Sequence, residues 1–261
     1  MNAEIEHINY RIYPNTFIQN VVVVMGFDND SDNPEFDTIP TNRLRTFLKD
    51  NFGFLLPNGE PKKQASLSSE ELGLNFQFYT NKVSLRVNCM NYQSFEATVM
   101  PLIYKLRSYM FEVLGKDSVD YIKIRKVDMF PFQLMDNPDN SIYGKMMHHL
   151  LNNDLLDSPA DGVEKTKDGV TDIERRTLSD ENFDFIVKTG VVKSVTESGV
   201  YLVILDTSSK TRADSYPKID KNNIEEVLRH QNQRMFDLYH WAVTDEVKNV
   251  MQLTPTNNDE G

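Results

Sequence analysis

Two short runs of alternating side chains, joined by three polar residues, constrain the fold of this chain most. The run Leu74–Tyr79 alternates apolar and polar side chains, and residues 83–89 do the same after Thr80-Asn81-Lys82. A period of two is typical of a strand that buries one face, and a short polar connection is typical of a hairpin. The pattern therefore predicts an antiparallel sheet with one apolar face and one polar face.

Periodic segments on both sides extend this hairpin into a larger unit. Residues 20–27 are rich in valine and predict a strand that is buried on both faces. Residues 41–52 and 92–115 place apolar side chains at spacings of three and four, which predicts helices, and residues 121–130 predict another strand. The order β-α-β-β-α-β is that of a ferredoxin-like unit, with two helices on one face of an antiparallel sheet.

The second half of the chain predicts a smaller α+β unit. Strands at residues 182–195 and 200–206 precede a strongly periodic helix at 222–242. The fold class is therefore α+β, with four predicted segments. They are a ferredoxin-like domain, a second α+β unit, a mobile loop within it and a disordered tail, at residues 1–134, 135–253, 157–172 and 254–261.

Composition and hydropathy exclude several classes of protein. The 261 residues include 39 acidic side chains and 28 lysines and arginines, and the net charge of −11 argues against bulk attraction to DNA or RNA. The longest apolar run, residues 21–25, is far shorter than the roughly 20 residues of a membrane helix. The first seven residues carry no signal-peptide pattern. We therefore expect a cytoplasmic protein that does not associate with membranes.

No part of the sequence forms a complete catalytic, metal-binding or phosphate-binding motif. Asp28, Asp30 and Asp32 match the opening of a calcium loop, but Asn33 stands where that loop needs glycine. Asp206 ends a predicted strand, where a carboxylate suits metal or base chemistry and is equally a common turn residue. We expect no cofactor and no bound metal, leave the catalytic residues unassigned, and favour a non-enzymatic role.

The densest cluster of cationic and aromatic side chains lies on the last long helix. Its members are Arg229, His230, Arg234, His240 and Trp241. Arginine and tryptophan are enriched in protein interfaces. We therefore favour protein–protein docking through this helix, with a protein encoded nearby or a second copy of the chain as the partner. The alternative is a packing helix whose exposed face carries solvated charges.

The polar face of the predicted sheet suggests a different function. Alternation places a basic and aromatic set there, namely Tyr79, Arg86, Tyr121, Lys123 and Arg125. An open sheet face of this kind resembles the platform on which RNA-recognition domains stack bases. Nucleic-acid binding or processing is therefore the alternative function, although a second domain that lies over this face is a simpler account of it.

Several features spread over most of the chain occur together. They are the strand pair at 76–88, the helix start Tyr92-x-x-Phe95, the basic strand Ile122-Lys123-Ile124-Arg125, the late strand that ends at Asp206, and the final Ala242-Val243-Thr244-x-Glu246. In this combination the chain resembles a sporadically distributed family of uncharacterised prokaryotic proteins of similar length. In that family we expect the basic strand to end in Arg-Tyr-x-Asn, whereas this chain has Arg125-Lys126-Val127-Asp128. The resemblance implies an accessory or sensing role in a phage-defence or mobile-element locus.

Overall fold

In the part of the chain that the structure describes, the strands form one large antiparallel sheet and one small one. The computed structural model of the chain describes residues 5, 7, 16–27, 38–55, 63–89, 92–133, 141–165 and 170–252. The strands of this part are β1 (Ile18–Gly26), β2 (Gln64–Ser69), β3 (Leu74–Tyr79), β4 (Lys82–Asn88), β5 (Ser118–Val119), β6 (Tyr121–Gln133), β7 (Gly162–Glu164), β8 (Ile173–Ser179), β9 (Phe183–Lys193), β10 (Val200–Thr211) and β11 (Ile219–Asp220). The α-helices are α1 (Thr41–Phe52), α2 (Met100–Ser108), α3 (Ser141–Leu150), α4 (Asn153–Leu156), α5 (Ile224–Ala242) and α6 (Asp245–Gln252).

The large sheet is continuous through both halves of the chain. Its nine strands pair in the order β2-β3-β4-β1-β6-β10-β9-β8-β7, and every neighbouring pair is antiparallel. The central strand β6 pairs with β1 on one side and with β10 on the other. The two halves that the sequence predicts, which meet at residues 134 and 135, therefore share one sheet.

Most elements of the first half have the predicted positions. The strand β1, the helix α1 and the hairpin of β3 and β4 lie where the periodicity placed them. The predicted helix at 92–115 begins at Phe95, because the Ser94 hydroxyl accepts a hydrogen bond from the Ala97 N–H at 3.0 Å and caps the first turn. Turns with π-type hydrogen bonds, Phe95–Val99 and Tyr109–Val113, extend α2 at both ends. The strand β2 was not predicted, because its mostly polar side chains lie at the sheet edge.

The second half departs from the prediction at β10. The sequence predicted that this strand ends at Asp206, which was wrong, because β10 continues to Thr211. Ser209 in the added part is buried beneath α5. There Gln231 donates to the carbonyl oxygen of Ser209 at 3.1 Å and to its hydroxyl at 2.9 Å. These hydrogen bonds satisfy the polar groups of Ser209 in the interior, whereas the sequence alone indicates a solvated turn there.

Some predictions concern residues outside the described part of the chain. They are the calcium-like tract at 28–33, the tail at 254–261 and residues 166–169 of the predicted mobile loop. The described remainder of that loop contains the short strand β7, which pairs with β8.

The described helices lie on one face of the large sheet, which confirms the α+β prediction. The helix α5 packs on β6 and β10, α2 packs on β4, and α3 packs on β9 and β10. The side chains between these layers, such as Phe78, Ile124 and Leu205, are fully buried and form the core. None of the described helices has the length and apolar character needed to cross a membrane.

The other face of the large sheet, which holds Val22, Arg125 and Ser208 and is called the open face below, carries none of the described helices. The described strands of the second half extend the sheet and do not cover this face. The expectation that a second domain lies over it was therefore wrong.

Candidate nucleic-acid interface

The strand register brings three cationic residues that the sequence predicts for nucleic-acid contact into neighbouring rows. Arg86 of β4 and Arg125 of β6 both lie opposite Val22 of β1, so that their backbones are two strand spacings, about 10 Å, apart. In the next row, Lys123 lies opposite Val24. Both valines are half-buried. The open face therefore has an apolar strip between two cationic strands.

The two predicted tyrosines lie at one end of the same face. Tyr121 lies opposite Gly26, and a Cβ atom at Gly26 would come within 2.8 Å of the Tyr121 hydroxyl oxygen, so glycine leaves the space that the ring occupies. The Nζ atoms of Lys210 and Lys82 lie 4.6 Å and 4.8 Å from the ring centroids of Tyr121 and Tyr79, respectively. These cation–π contacts hold each ring beside a positive charge. All five predicted residues thus share the open face.

The register also adds cationic residues that the sequence analysis did not assign to this face. The strands of the open face carry seven cationic side chains, Lys82, Arg86, Lys123, Arg125, Arg175, Lys188 and Lys210. The same strands carry three carboxylates there, Glu164, Asp184 and Asp206. Alternation within β9 and β10 could have indicated Lys188 and Lys210, but only the strand pairing places Lys210 opposite Lys123 and Lys188 opposite Asp206.

Asp206 lies within β10, where Arg125 binds it. The Nε and Nη2 atoms of Arg125 donate to the two carboxylate oxygens at 2.8 Å and 2.7 Å. This bidentate hydrogen bonding raises the pKa of Arg125. Among the described residues, no group of three histidine, cysteine or acidic side chains could hold a metal ion. The carboxylate of Asp206 holds the Nε and Nη2 atoms of Arg125, whose Nη1 atom has no hydrogen bond to the described residues.

Lys123 lies among like charges at the centre of the open face. Burial lowers the pKa of Lys123, and Arg125, Lys188 and Lys210 lower it further, whereas Asp206 acts in the opposite direction. Lys123 forms no ion pair with the described part of the chain. A bound anion would stabilise the charged form of such a lysine. The depression of about 280 Å³ beside it, which Ser208 also lines, has room for one.

Three of the residues predicted to dock a partner through α5 are used inside the chain. Arg234 donates from Nε to Asp180 at 2.9 Å, and its side chain is 17% exposed. The Nδ1 atom of His230 and the hydroxyl of Tyr216 are hydrogen-bonded at 2.7 Å. His240 is buried. These contacts hold α5 against its own sheet and loops.

The other two residues of that set are only partly available. Arg229 is half exposed, and its Nε atom donates to Glu96 at 3.2 Å. Trp241 is partly buried and packs against the core. The structure thus does not bring the five residues together as one exposed surface, and docking through α5 stays a prediction.

Comparisons with known proteins add no family. No family model matches the chain, and no curated protein matches it. Among solved structures, the chain is similar to one described as "KH domains", with 9% sequence identity over 94% of this chain and 67% of that chain, at a TM-score of 0.19. A TM-score this low does not define a shared fold.

Proposed function

We propose that the open face binds single-stranded nucleic acid. The observation that carries this proposal is the separation of charge, because the strands of the open face carry seven cationic side chains and three carboxylates, whereas the net charge of the chain is −11. Rows of lysine and arginine at strand spacing suit a phosphate backbone. Val22, Val24 and the two tyrosines give base faces apolar and aromatic surface, which only unpaired bases can reach.

Docking of a protein partner through α5 is the less favoured function. Arg234 and His230 already have hydrogen-bond partners within the chain, and His240 is buried. By contrast, Arg86 is exposed, and its side chain makes no hydrogen bond or ion pair with the described residues. A side chain without an internal partner has a greater capacity to bind a ligand.

Salt dependence tests the proposal directly. Binding of labelled single-stranded RNA and DNA would be measured by fluorescence anisotropy between 50 and 200 mM salt. We expect an affinity that falls as salt rises, because binding to phosphates releases counterions. Changing Arg86→Gln and Lys123→Gln together removes two phosphate contacts and should reduce the slope of log K against log salt by about 1.4.

The matched control removes the same number of positive charges from the helical side of the sheet. Lys49 on α1 and Lys145 on α3 are exposed on the helical side of the sheet. The double change Lys49→Gln and Lys145→Gln should leave the affinity and the slope unchanged. Absence of binding at 50 mM salt, or an equal loss in both double variants, would reject the proposal.

We also infer that the first half is a ferredoxin-like unit within the larger sheet. The strand order β3-β4-β1-β6, with α1 and α2 on one face, supports this interpretation. An experimental structure in which β1 does not lie between β4 and β6 would contradict it.

A further inference from the structure

A depression on the β2 side of the open face is lined by side chains able both to donate and to accept hydrogen bonds. This depression measures about 510 Å³, which is within the range of small-molecule sites. Its lining includes Asn75, Gln77, Ser84, Arg86, Asn88 and Arg125, with Val22 on the floor. The turn between β2 and β3 forms one rim, where Glu70 lies.

The amide groups in this depression keep unused hydrogen-bonding capacity of both kinds. The side-chain Oε1 atom of Gln77 accepts from the Tyr79 hydroxyl at 3.0 Å, which leaves the Nε2 atom of Gln77 as a donor. The Nδ2 atom of Asn75 donates to the Ser68 hydroxyl, which leaves the Oδ1 atom of Asn75 as an acceptor. The Asn88 side chain makes no hydrogen bond with the described residues.

This mixture favours one class of ligand. A site for inorganic phosphate alone would present donors only, whereas a nucleobase edge carries both donors and acceptors. The arginines flank Val22 on strands β4 and β6, so a phosphate can bind beside a base that lies over the valine. We infer that this depression is a nucleotide site, which reads a base edge through Asn75, Gln77 and Asn88 and holds the phosphate through Arg86 and Arg125.

The inference rests on the proposed function, because it assigns base recognition to part of the same face. The ligand of such a site is either a free nucleotide or one nucleotide within a single strand, because both have the same chemistry. Isothermal titration with AMP, CMP, GMP and UMP tests binding of a free nucleotide, and competition among short homopolymers tests binding of a nucleotide within a strand. Adenosine, ribose 5-phosphate and inorganic phosphate are the probes that separate the base from the phosphate.

The decisive variant is Gln77→Ala, and its matched control is Gln64→Ala. Gln64 is an exposed amide of the same length on the open face, outside the depression. We expect Gln77→Ala to weaken the preferred nucleotide or homopolymer about ten-fold, to reduce discrimination between bases, and to leave the salt slope unchanged. Asn88→Ala should act in the same way, which guards against a local folding defect in one variant. Thermal unfolding followed by circular dichroism would confirm that all three variants fold.

The outcomes for the two proposals differ. The nucleotide site would be overturned if ribose 5-phosphate or inorganic phosphate bound as tightly as the nucleotides. It would also be overturned if Gln77→Ala and Gln64→Ala changed the affinity equally. Salt-dependent binding of strands that is indifferent to Gln77 and Asn88 rejects the nucleotide site and retains the proposed function. Binding of mononucleotides without binding of strands rejects the proposed function and retains the site for a free nucleotide.

Discussion

Lys126 and Asp128 lie two residues apart on the buried face of β6. The Nζ atom of Lys126 donates to the side-chain Oδ1 atom of Asn232 at 2.7 Å. Asp128 is 1% exposed, and one of its carboxylate oxygens is unpartnered among the described residues. Burial lowers the pKa of Lys126 to about 8 and raises the pKa of Asp128 to about 7, and the attraction between the two groups opposes both shifts. In the core, the charged form of each of these two groups is therefore stabilised by the charge of the other.

Removing one partner of this pair should destabilise the protein. We expect Asp128→Ala to lower the free energy of unfolding by about 3 kcal/mol, because Lys126 loses its opposite charge in the core. The double variant Lys126→Met and Asp128→Leu should be as stable as the wild type or more stable, since it removes both desolvation costs. Urea denaturation would measure both. A double variant less stable than Asp128→Ala would contradict this explanation.

The raised pKa of Asp128 predicts a specific pH dependence of stability. The ordinary pKa of the group is 3.8 and its pKa in the folded state is about 7, so the folded state holds this proton more tightly than the unfolded state does. The contribution of Asp128 to stability is therefore complete below about pH 4 and is lost as the pH rises to 7. Between these two pH values, deprotonation of Asp128 lowers the free energy of unfolding by about 1.4 kcal/mol per pH unit.

The measurement compares unfolding at several pH values in the wild type and in Asp128→Asn. The asparagine variant should lack the Asp128 component of this slope between pH 4 and 7. Asp117→Asn, which changes an exposed carboxylate, is the control and should keep the slope of the wild type. Parallel pH profiles for the wild type and Asp128→Asn would show that Asp128 does not titrate in this range.

A change at Asp206 should strengthen binding of nucleic acid. Asp206→Asn removes a carboxylate that neutralises Arg125 and keeps the shape of the side chain. On the proposed function we expect a higher affinity for single strands and a salt slope steeper by about 0.7, because one more cation becomes available to phosphate. Anisotropy titrations at several salt concentrations would measure this, with Asp117→Asn as the control of equal charge. Weaker binding by a folded Asp206→Asn would indicate that the orientation of Arg125 matters more than its net charge.

The shared sheet predicts that the first half does not fold stably on its own. In a fragment of residues 1–134, β6 would lose its pairing with β10 and its cover by α5. The carbonyl oxygen of Ile122 would lose the hydrogen bond that Gln231 donates at 3.2 Å. We therefore expect no cooperative thermal transition by circular dichroism. A fragment that melts cooperatively near the temperature of the whole chain would instead support the predicted domain boundary.

Local periodicity predicted the elements that bury one regular face. The alternation of Phe76 and Phe78 with polar neighbours defined β3, and the spacing of Leu44, Phe47 and Leu48 defined α1. Those patterns depend only on near neighbours in sequence. The same alternation placed Arg86, Lys123 and Arg125 on the open face before their strands were paired.

Pairing between distant segments could not be predicted in the same way. β6 and β10 are far apart in the chain, and the Thr207-Ser208-Ser209 part of β10 has the composition of a turn. The polar groups of Ser209 accept hydrogen bonds from Gln231 of α5, and the Thr207 hydroxyl donates to the Lys126 backbone carbonyl oxygen. The continuous sheet, and with it the contribution of Lys188 and Lys210 to the open face, follows from the pairing of β10 with β6 and β9.

Neighbouring positions along β6 have different surroundings. Tyr121, Lys123 and Arg125 contact solvent, whereas Ile122 and Ile124 pack beneath the helices. On the proposed function, random libraries confined to the first set would alter nucleic-acid binding while the packed residues of β6 remain unchanged. Binding and folding would then be separable at alternate positions of a single strand.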